Sequence, residues 1–225
     1  MKKFGLIVFG AALVIGVIFA GGCGFGGFTN YKGIQGSGTV KSEARDVSGF
    51  TKIEASGAVN LDITAQKDFG VSVEADGNLL GHIKTEVDGD TLKIFPESGI
   101  STKNKINVKI SMPEIKDLDV SGASTAVVSN ISSDKLDLTA SGASKIKIQG
   151  QAKDLSSDAS GASGIDAENL TVENADIEAS GASSATVSAA NELKADASGA
   201  SSIYYTVEPK NIKQNSSGAS SVKKK

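Results

Sequence analysis

The hydrophobic residues in the second half of the chain fall into columns around a tetrapeptide, Ser-Gly-Ala-Ser, that begins at Ser121, Ser141, Ser160, Ser180, Ser198 and Ser217. Positions five, three and one before the first Ser carry Leu118 and Val120, then Leu136, Leu138 and Ala140, Leu155 and Ala159, Ile177 and Ala179, Leu193, Ala195 and Ala197, and finally Ile212. Two, five and seven after it, the next inward candidates are Ala123, Ala126 and Val128, then Ala143, Ile146 and Ile148. Later copies give Ala162 and Ile165, Ala182 and Val187, Ala200 and Ile203, and Ala219 and Val222. Alternation with a period of two predicts a strand on each side of the motif, because successive side chains of a strand point to opposite faces. The pattern slips by one residue across Ser-Gly-Ala, as expected of a sharp bend with Gly at positive φ or in a bulge.

The copies recur at a nearly constant interval along the chain. Self-similarity at a period near twenty marks a solenoid, each repeat one coil stacked on the last. The expected fold class is therefore all-β: a parallel β-solenoid of coils about 19 residues long, like residues stacked over like about 4.8 Å apart. Ala at the inner corner is expected to keep the core narrow. A helix is excluded by the absence of three-four apolar spacing and by the wealth of Ser, Gly and β-branched residues.

The first half is patterned differently. Phe50–Ile53, Val59–Ile63, Val71–Val73 and Ile106–Ile110 alternate as strands. A short helical turn is expected between Asp76 and Ile83, capped by Asp76 or Asn78 and turning Leu79, Leu80 and Ile83 inward. Val87-Asp88-Gly89-Asp90-Thr91 predicts a hairpin. Ser56-Gly57-Ala58 reads as a diverged copy of the motif, but the interval from Ser56 to Ser121 is not a whole number of repeats. Irregular, capping structure is expected over residues 45–116 and regular coils over 117–225. At the far end Lys223, Lys224 and Lys225 are expected to discourage another chain from adding to the open sheet edge.

Composition narrows the picture. Of 225 residues 39% are hydrophobic but only 5% aromatic, with no Trp, which suits a thin aliphatic core. Net charge is −3 and Arg45 is the single arginine, so no nucleic-acid partner is expected. Cys23, the single cysteine, excludes an internal disulfide framework. Lys2 and Lys3 precede an uncharged stretch from Phe4 to Phe28, which reads as an export segment. Ala20, Gly21 and Gly22 lead into Cys23 in a pattern similar to the bacterial lipobox, whose cysteine is lipidated. Residues 1–22 are expected as a lipoprotein-type signal peptide and 23–44 as a Gly-rich tether, ahead of one solenoid domain over 45–225. Retention of the apolar run as an uncleaved membrane anchor is the alternative. Gly24 is not acidic, which favours the outer membrane in a Gram-negative cell.

Candidate chemistry is sparse. Two before each Ser, the outward positions read Asp119, Thr139, Asp158, Glu178, Asp196 and Asn215, an acidic ladder. Asp158, Glu178 and Asp196 are the candidate ligand-facing acids, joined by Tyr204, whose outward ring could stack on a sugar while Tyr205 turns into the core. Calcium is a weaker alternative, since the spacing lacks the Gly-Asp loops of calcium-binding nonapeptides; no metal site and no cofactor are expected. The two serine columns have no accompanying base, and His82, the single histidine, lies outside the repeats.

These features together resemble a known family. Arg45-Asp46-Val47-Ser48-Gly49-Phe50-Thr51-Lys52-Ile53 opens the resemblance, Asn78-Leu79-Leu80 and Thr91-Leu92-Lys93-Ile94 continue it, and the serial Ser-Gly motifs and Ile203-Tyr204-Tyr205 before Pro209 close it. From Arg45 to Val222 the chain is similar to the putative auto-transporter adhesin, head GIN domain family of bacterial envelope proteins. Members usually show Ser-Gly-Ser-Gly-Asp at the turn, where this chain has Ser-Gly-Ala-Ser, so a column of acids is missing here. The resemblance implies a right-handed parallel β-helix-like fold, often exported and lipid-anchored. The expected function is non-catalytic: an adhesion or binding scaffold of the cell envelope, attached to the membrane by an N-terminal lipid, with a protein or glycan partner. A carbohydrate-active β-helix enzyme, and a structural accessory protein without a ligand, are the alternatives.

Overall fold

The computed structural model describes residues 33–97 and 99–225. The expected signal peptide, Cys23 and the tether up to residue 32 lie outside them. No helix among the described residues is long and apolar enough to cross a membrane. In chain order the strands are β1 (Ile34–Gln35), β2 (Val40–Arg45), β3 (Lys52–Ala55), β4 (Val59–Thr64), β5 (Gly70–Asp76), β6 (Ile83–Asp88), β7 (Thr91–Pro96), β8 (Ile100–Ser101), β9 (Ile106–Ser111) and β10 (Asp117–Val120). Four long bent strands follow, β11 (Thr125–Ala140), β12 (Lys145–Ala159), β13 (Gly164–Ala179) and β14 (Ser184–Ala197), then β15 (Ser202–Tyr205), β16 (Asn211–Ser216) and β17 (Ser221–Lys224). They build an all-β solenoid of about five turns.

Each coil runs along one sheet before the motif and another after it, and every pairing between successive regular coils is parallel. Like stacks on like: Leu118 lies beside Leu138, and Ile146 beside Ala126 and Ile165. A short third ladder closes the coil, running from Ile131–Ser133 through Gly150–Ala152 to Leu170–Val172. Register shifts between coils flank this ladder: each pair of coils shifts between the post-motif sheet and the ladder, where Asn130 and Gly150 have positive φ, and β13 and β14 shift again after it, between Val172 and Asn174. The unequal repeat lengths are absorbed there and the Ser-Gly-Ala-Ser corner stays in register.

At that corner the expectation about alanine fails. Ala123, Ala143, Ala162, Ala182 and Ala200 are exposed, whereas the second serines, Ser124, Ser144, Ser163, Ser183 and Ser201, are buried. The inward positions are thus the odd ones throughout, one, three and five before the first Ser and three, five and seven after it, and the alternation does not slip. Gly and Ala are both exposed where the chain turns, with Gly142 at φ 72°. Its neighbour closes the stack: Ala143 N–H donates to the Gly122 carbonyl at 2.7 Å, and a Cβ on Gly142 would stand 2.7 Å from that same oxygen. The inner corner needs a small side chain that can carry a hydrogen bond. Ser144, Ser163, Ser183 and Ser201 donate from Oγ to the carbonyls of Val120, Ala140, Ala159 and Ala179 at 2.8 to 2.9 Å, so each buried hydroxyl is satisfied one coil down.

The base resolves the odd spacing of the first motif. Ser56-Gly57-Ala58 lies directly beneath Ser121-Gly122-Ala123: Ser121 N–H reaches the Ala55 carbonyl at 2.8 Å and Ala123 N–H the Gly57 carbonyl at 2.7 Å. β10 and β11 stack on β3 and β4, which stack in turn on β7 and β9. The coil of residues 52–64 therefore sits between the coil of 91–111 and that of 117–129. The long interval from Ser56 to Ser121 in sequence is one coil step in space.

The outermost layer of the base is antiparallel: β6 on β7, β5 on β9, and β2 on β5. Residues 40–44, expected as tether, are thus paired strand; the side chains of β2 are exposed up to Arg45, so no apolar alternation announces it. Lys41, Glu43 and Arg45 stand opposite buried Ala75, Val73 and Val71, and so put charge on the inner side of an edge strand. Arg45 donates to the Leu80 carbonyl at 2.6 Å and pairs with Glu43 at 2.8 Å. The short turn is a 3₁₀ helix, Leu80–His82, with Leu79, Leu80 and Ile83 buried as expected. It has no side-chain cap, because Asp76 and Asn78 bond to other segments. The hairpin between β6 and β7 turns at Gly89, φ 64°.

Candidate functional site

The fold brings part of the expected constellation together. Strand register stacks Asp158 on Glu178, Glu178 on Asp196 and Asp196 on Asn215, on the outer side of the pre-motif sheet. Asn215 donates to Asp196 at 2.6 Å. With Ser180, Ser198 and Ser217 these residues line an open groove of about 250 Å³. The lysines of the neighbouring column pair elsewhere, Lys194 with Asp176 at 3.6 Å and Lys213 with Glu192 at 3.6 Å. Among the described residues no group of three His, Cys, Asp or Glu side chains is placed to hold a metal ion.

Tyr204 is not part of that groove. It lies in β15 on the post-motif sheet, beside Thr186 and Lys223, with the Ser198–Ser201 corner between it and Asp196. Tyr205 packs partly buried against the core. The ring and the acids therefore present separate surfaces.

The acidic ladder extends further than the repeats suggested. Asp119 stacks on Glu54, and Asp117 stands between Lys52 and Asp137. Partial burial, followed by the Asp137 charge, pushes the Asp117 carboxyl above its ordinary range; burial and then Glu54 do the same for Asp119. Glu54 escaped the sequence reading because the base coil is out of sequential order. A second feature that it missed is a groove of about 440 Å³ on the post-motif sheet, floored by Gly164 and bordered by Lys145, Lys147, Asp166 and exposed Val127. The absence of a side chain at Gly164 was the available signal.

The buried serine column is bonded within the corners, and His82 is engaged at the base. Its Nδ1 lies 2.8 Å from Glu97 Oε2, while Lys84 approaches the other carboxylate oxygen at 3.1 Å. Those two partners, His82 first, hold the Glu97 carboxyl below its ordinary range.

Solved structures share this architecture. A putative adhesin from Bacteroides fragilis superposes with a TM-score of 0.72 at 21% identity, covering 86% of this chain and 100% of that one. A putative adhesin from Parabacteroides merdae gives 0.55 at 16% identity, covering 85% and 98%. A putative lipid binding protein from Parabacteroides distasonis gives 0.52 at 20% identity, covering 85% and 99%. No curated protein matches the sequence. At these identities the likeness is one of fold. The sequence itself matches one family over residues 49–209, from the approach to β3 to the end of the last buried coil. The chain accordingly belongs to the putative auto-transporter adhesin, head GIN domain family.

Proposed function

We propose that this chain is an exported cell-envelope protein, lipid-anchored at Cys23, that acts as a non-catalytic adhesion or binding scaffold. The family to which it belongs carries the description putative auto-transporter adhesin, head GIN domain, which supports a binding role. The observation that carries the reading is the regular outer surface of the pre-motif sheet, where Asp158, Glu178 and Asp196 recur one per coil along an open groove. Such a surface offers repeated, equivalent contacts to an extended partner, a polymer in preference to a single small molecule held in an enclosed cavity. Glycoside hydrolysis needs two carboxyl groups flanking the bond to be cut. Here the three acids lie in line on one sheet, which favours binding over catalysis.

The test has two arms on the full chain. Metabolic labelling with a fatty acid should mark the wild type and not Cys23→Ala, with both fractionating to the envelope. A glycan and envelope-polymer array should give a hit that is lost in the Asp158→Asn, Glu178→Gln, Asp196→Asn triple variant at unchanged thermal stability. An unlabelled wild type overturns the anchor, and a hit indifferent to the triple variant overturns the acidic surface.

A further inference from the structure

Residues 33–45 are attached to the base by a different kind of force from the rest of the chain. Backbone bonds run from Ile34 N–H to the Gly99 carbonyl at 2.5 Å and from Gly36 N–H to that of Ser101 at 2.8 Å. Asn78 grips the segment from the other side: its Oδ1 accepts from Ser37 N–H at 2.8 Å and its Nδ2 donates to the Gln35 carbonyl at 2.8 Å. Gly77 N–H adds a bond to the Thr39 carbonyl at 2.9 Å, and β2 then follows the edge of β5. Beneath Gly36 lies the Asp76 carboxylate, 1% exposed, which accepts from Thr102 Oγ1 at 2.5 Å and Asn104 Nδ2 at 2.7 Å. A Cβ on Gly36 would overlap that carboxylate, so the segment fits its seat only with glycine there.

Apolar burial is missing from this attachment. Ile34 and Val40 are 42% and 46% exposed, and along β2 only Arg45 is even partly covered. Among the described residues, the first side chain buried completely is Phe50. Segments held by solvent-accessible hydrogen bonds without apolar contacts open at the low end of a protein's stability range.

We propose that residues 33–45 form a releasable strap, which detaches as a unit from Asn78, the 99–104 loop and the edge of β5 while the solenoid stays folded. Release frees roughly 45 Å of extended chain. For a scaffold anchored by its N-terminus, the strap sets two reaches from the membrane, short when seated and long when released. The role in reach rests on the anchoring proposed above; the detachment itself does not.

The test is hydrogen exchange with mass spectrometry on the full chain in detergent, which needs neither ligand nor lipid. Amides of β2 and of residues 36–39 should be protected in the wild type yet exchange about 100-fold faster than those of β12 and β13, with little dependence on sub-denaturing urea. Asn78→Ala should speed the strap amides by about a further tenfold and leave β12 and β13 unchanged. Gly36→Val, which unseats the strap sterically, should do the same and serves as a second variant if Asn78→Ala perturbs the 3₁₀ turn. Strap amides that exchange only with the global unfolding of β12 and β13, or that show no protection in the wild type, overturn the proposal. Cys23→Ala should leave the exchange pattern unchanged, so failure of the anchor and failure of the strap give different results.

Discussion

Between residues 117 and 205 the chain returns to one corner once per coil, and the same three groups recur there: an exposed Gly at φ near 75° set against the coil below, an exposed Ala and an inward, bonded Ser. In the base, between residues 40 and 111, Gly57 marks a diverged corner with Val59 in place of the inward Ser, and closure depends instead on antiparallel strands, the packing of Phe50 on Phe69 at 5.0 Å between ring centroids, and charged side chains on the inner side of β2. Repetition makes each regular corner depend on the one below it. The hairpin turn of the base at Gly89 stands alone, with open space around it, and a disturbance there meets no neighbouring corner.

Matched glycine substitutions test that difference most strongly. Gly161→Ala forces φ 74° on an L residue and drives a Cβ to within 2.7 Å of the Gly142 carbonyl oxygen. The cost should be about 3 kcal/mol, read by chemical denaturation. Gly89→Ala, in the hairpin of the base, has a similar φ but open space around it, and should cost about 1 kcal/mol. Equal losses at the two positions would remove the distinction.

Two buried serines on either side of one corner sharpen it. Ser163 donates to the Ala140 carbonyl at 2.8 Å, so Ser163→Ala should destabilise by about 1 kcal/mol. Ser157 stands in the core column between Leu138 and Ile177, 3% exposed, with a hydroxyl that has no partner. Ser157→Ala should therefore raise the unfolding free energy by about 1 kcal/mol. If both variants move in the same direction, the corner bond is not what the motif serine contributes.

The smallest expected effect concerns the seam between base and coils. Asp117 has a raised folded value, so its contribution to stability is present in full below the ordinary carboxylate range and is lost as pH rises through the raised value. Asp117→Asn should remove that loss and stabilise the protein at neutral pH by no more than about 0.5 kcal/mol once solvent screening is allowed for, with little change in acid, because partial burial first and the Asp137 charge second oppose the ionised carboxylate. A variant less stable at neutral pH would show that the Asp117 carboxylate is held by Lys52 more than it is opposed by Asp137.

Much of this was legible in the residues. The regular columns, including Leu136, Ile146 and Leu193, and the hairpin at Gly89 follow from periodicity and turn chemistry alone. The inner corner did not, since Ala is the more apolar of the two small residues and burial usually follows hydrophobicity; hydrogen bonding to the coil below reverses the order. The strand at residues 40–45 escaped because an edge strand with exposed side chains has no alternation to read. For the candidate site, register placed Asp158, Glu178 and Asp196 in one line. Glu54 joined the ladder, and Tyr204 stood apart from it, for reasons that only the stacking order and the corner between the two sheets could reveal.

The position of the 52–64 coil between two later ones also orders events as the chain emerges. Residues 52–111 can assemble a base by themselves, since β3 finds β7 and β4 finds β9. That base then presents the upper edges of β3 and β4 as the template for residues 117–129. Because each coil of a stacked-repeat chain contacts only its neighbours, a base made first lets each coil seed the next. An error at Gly122 leaves every later coil without a template, whereas the same error at Gly218 spoils one coil. The earliest corners therefore act as checkpoints for everything made after them.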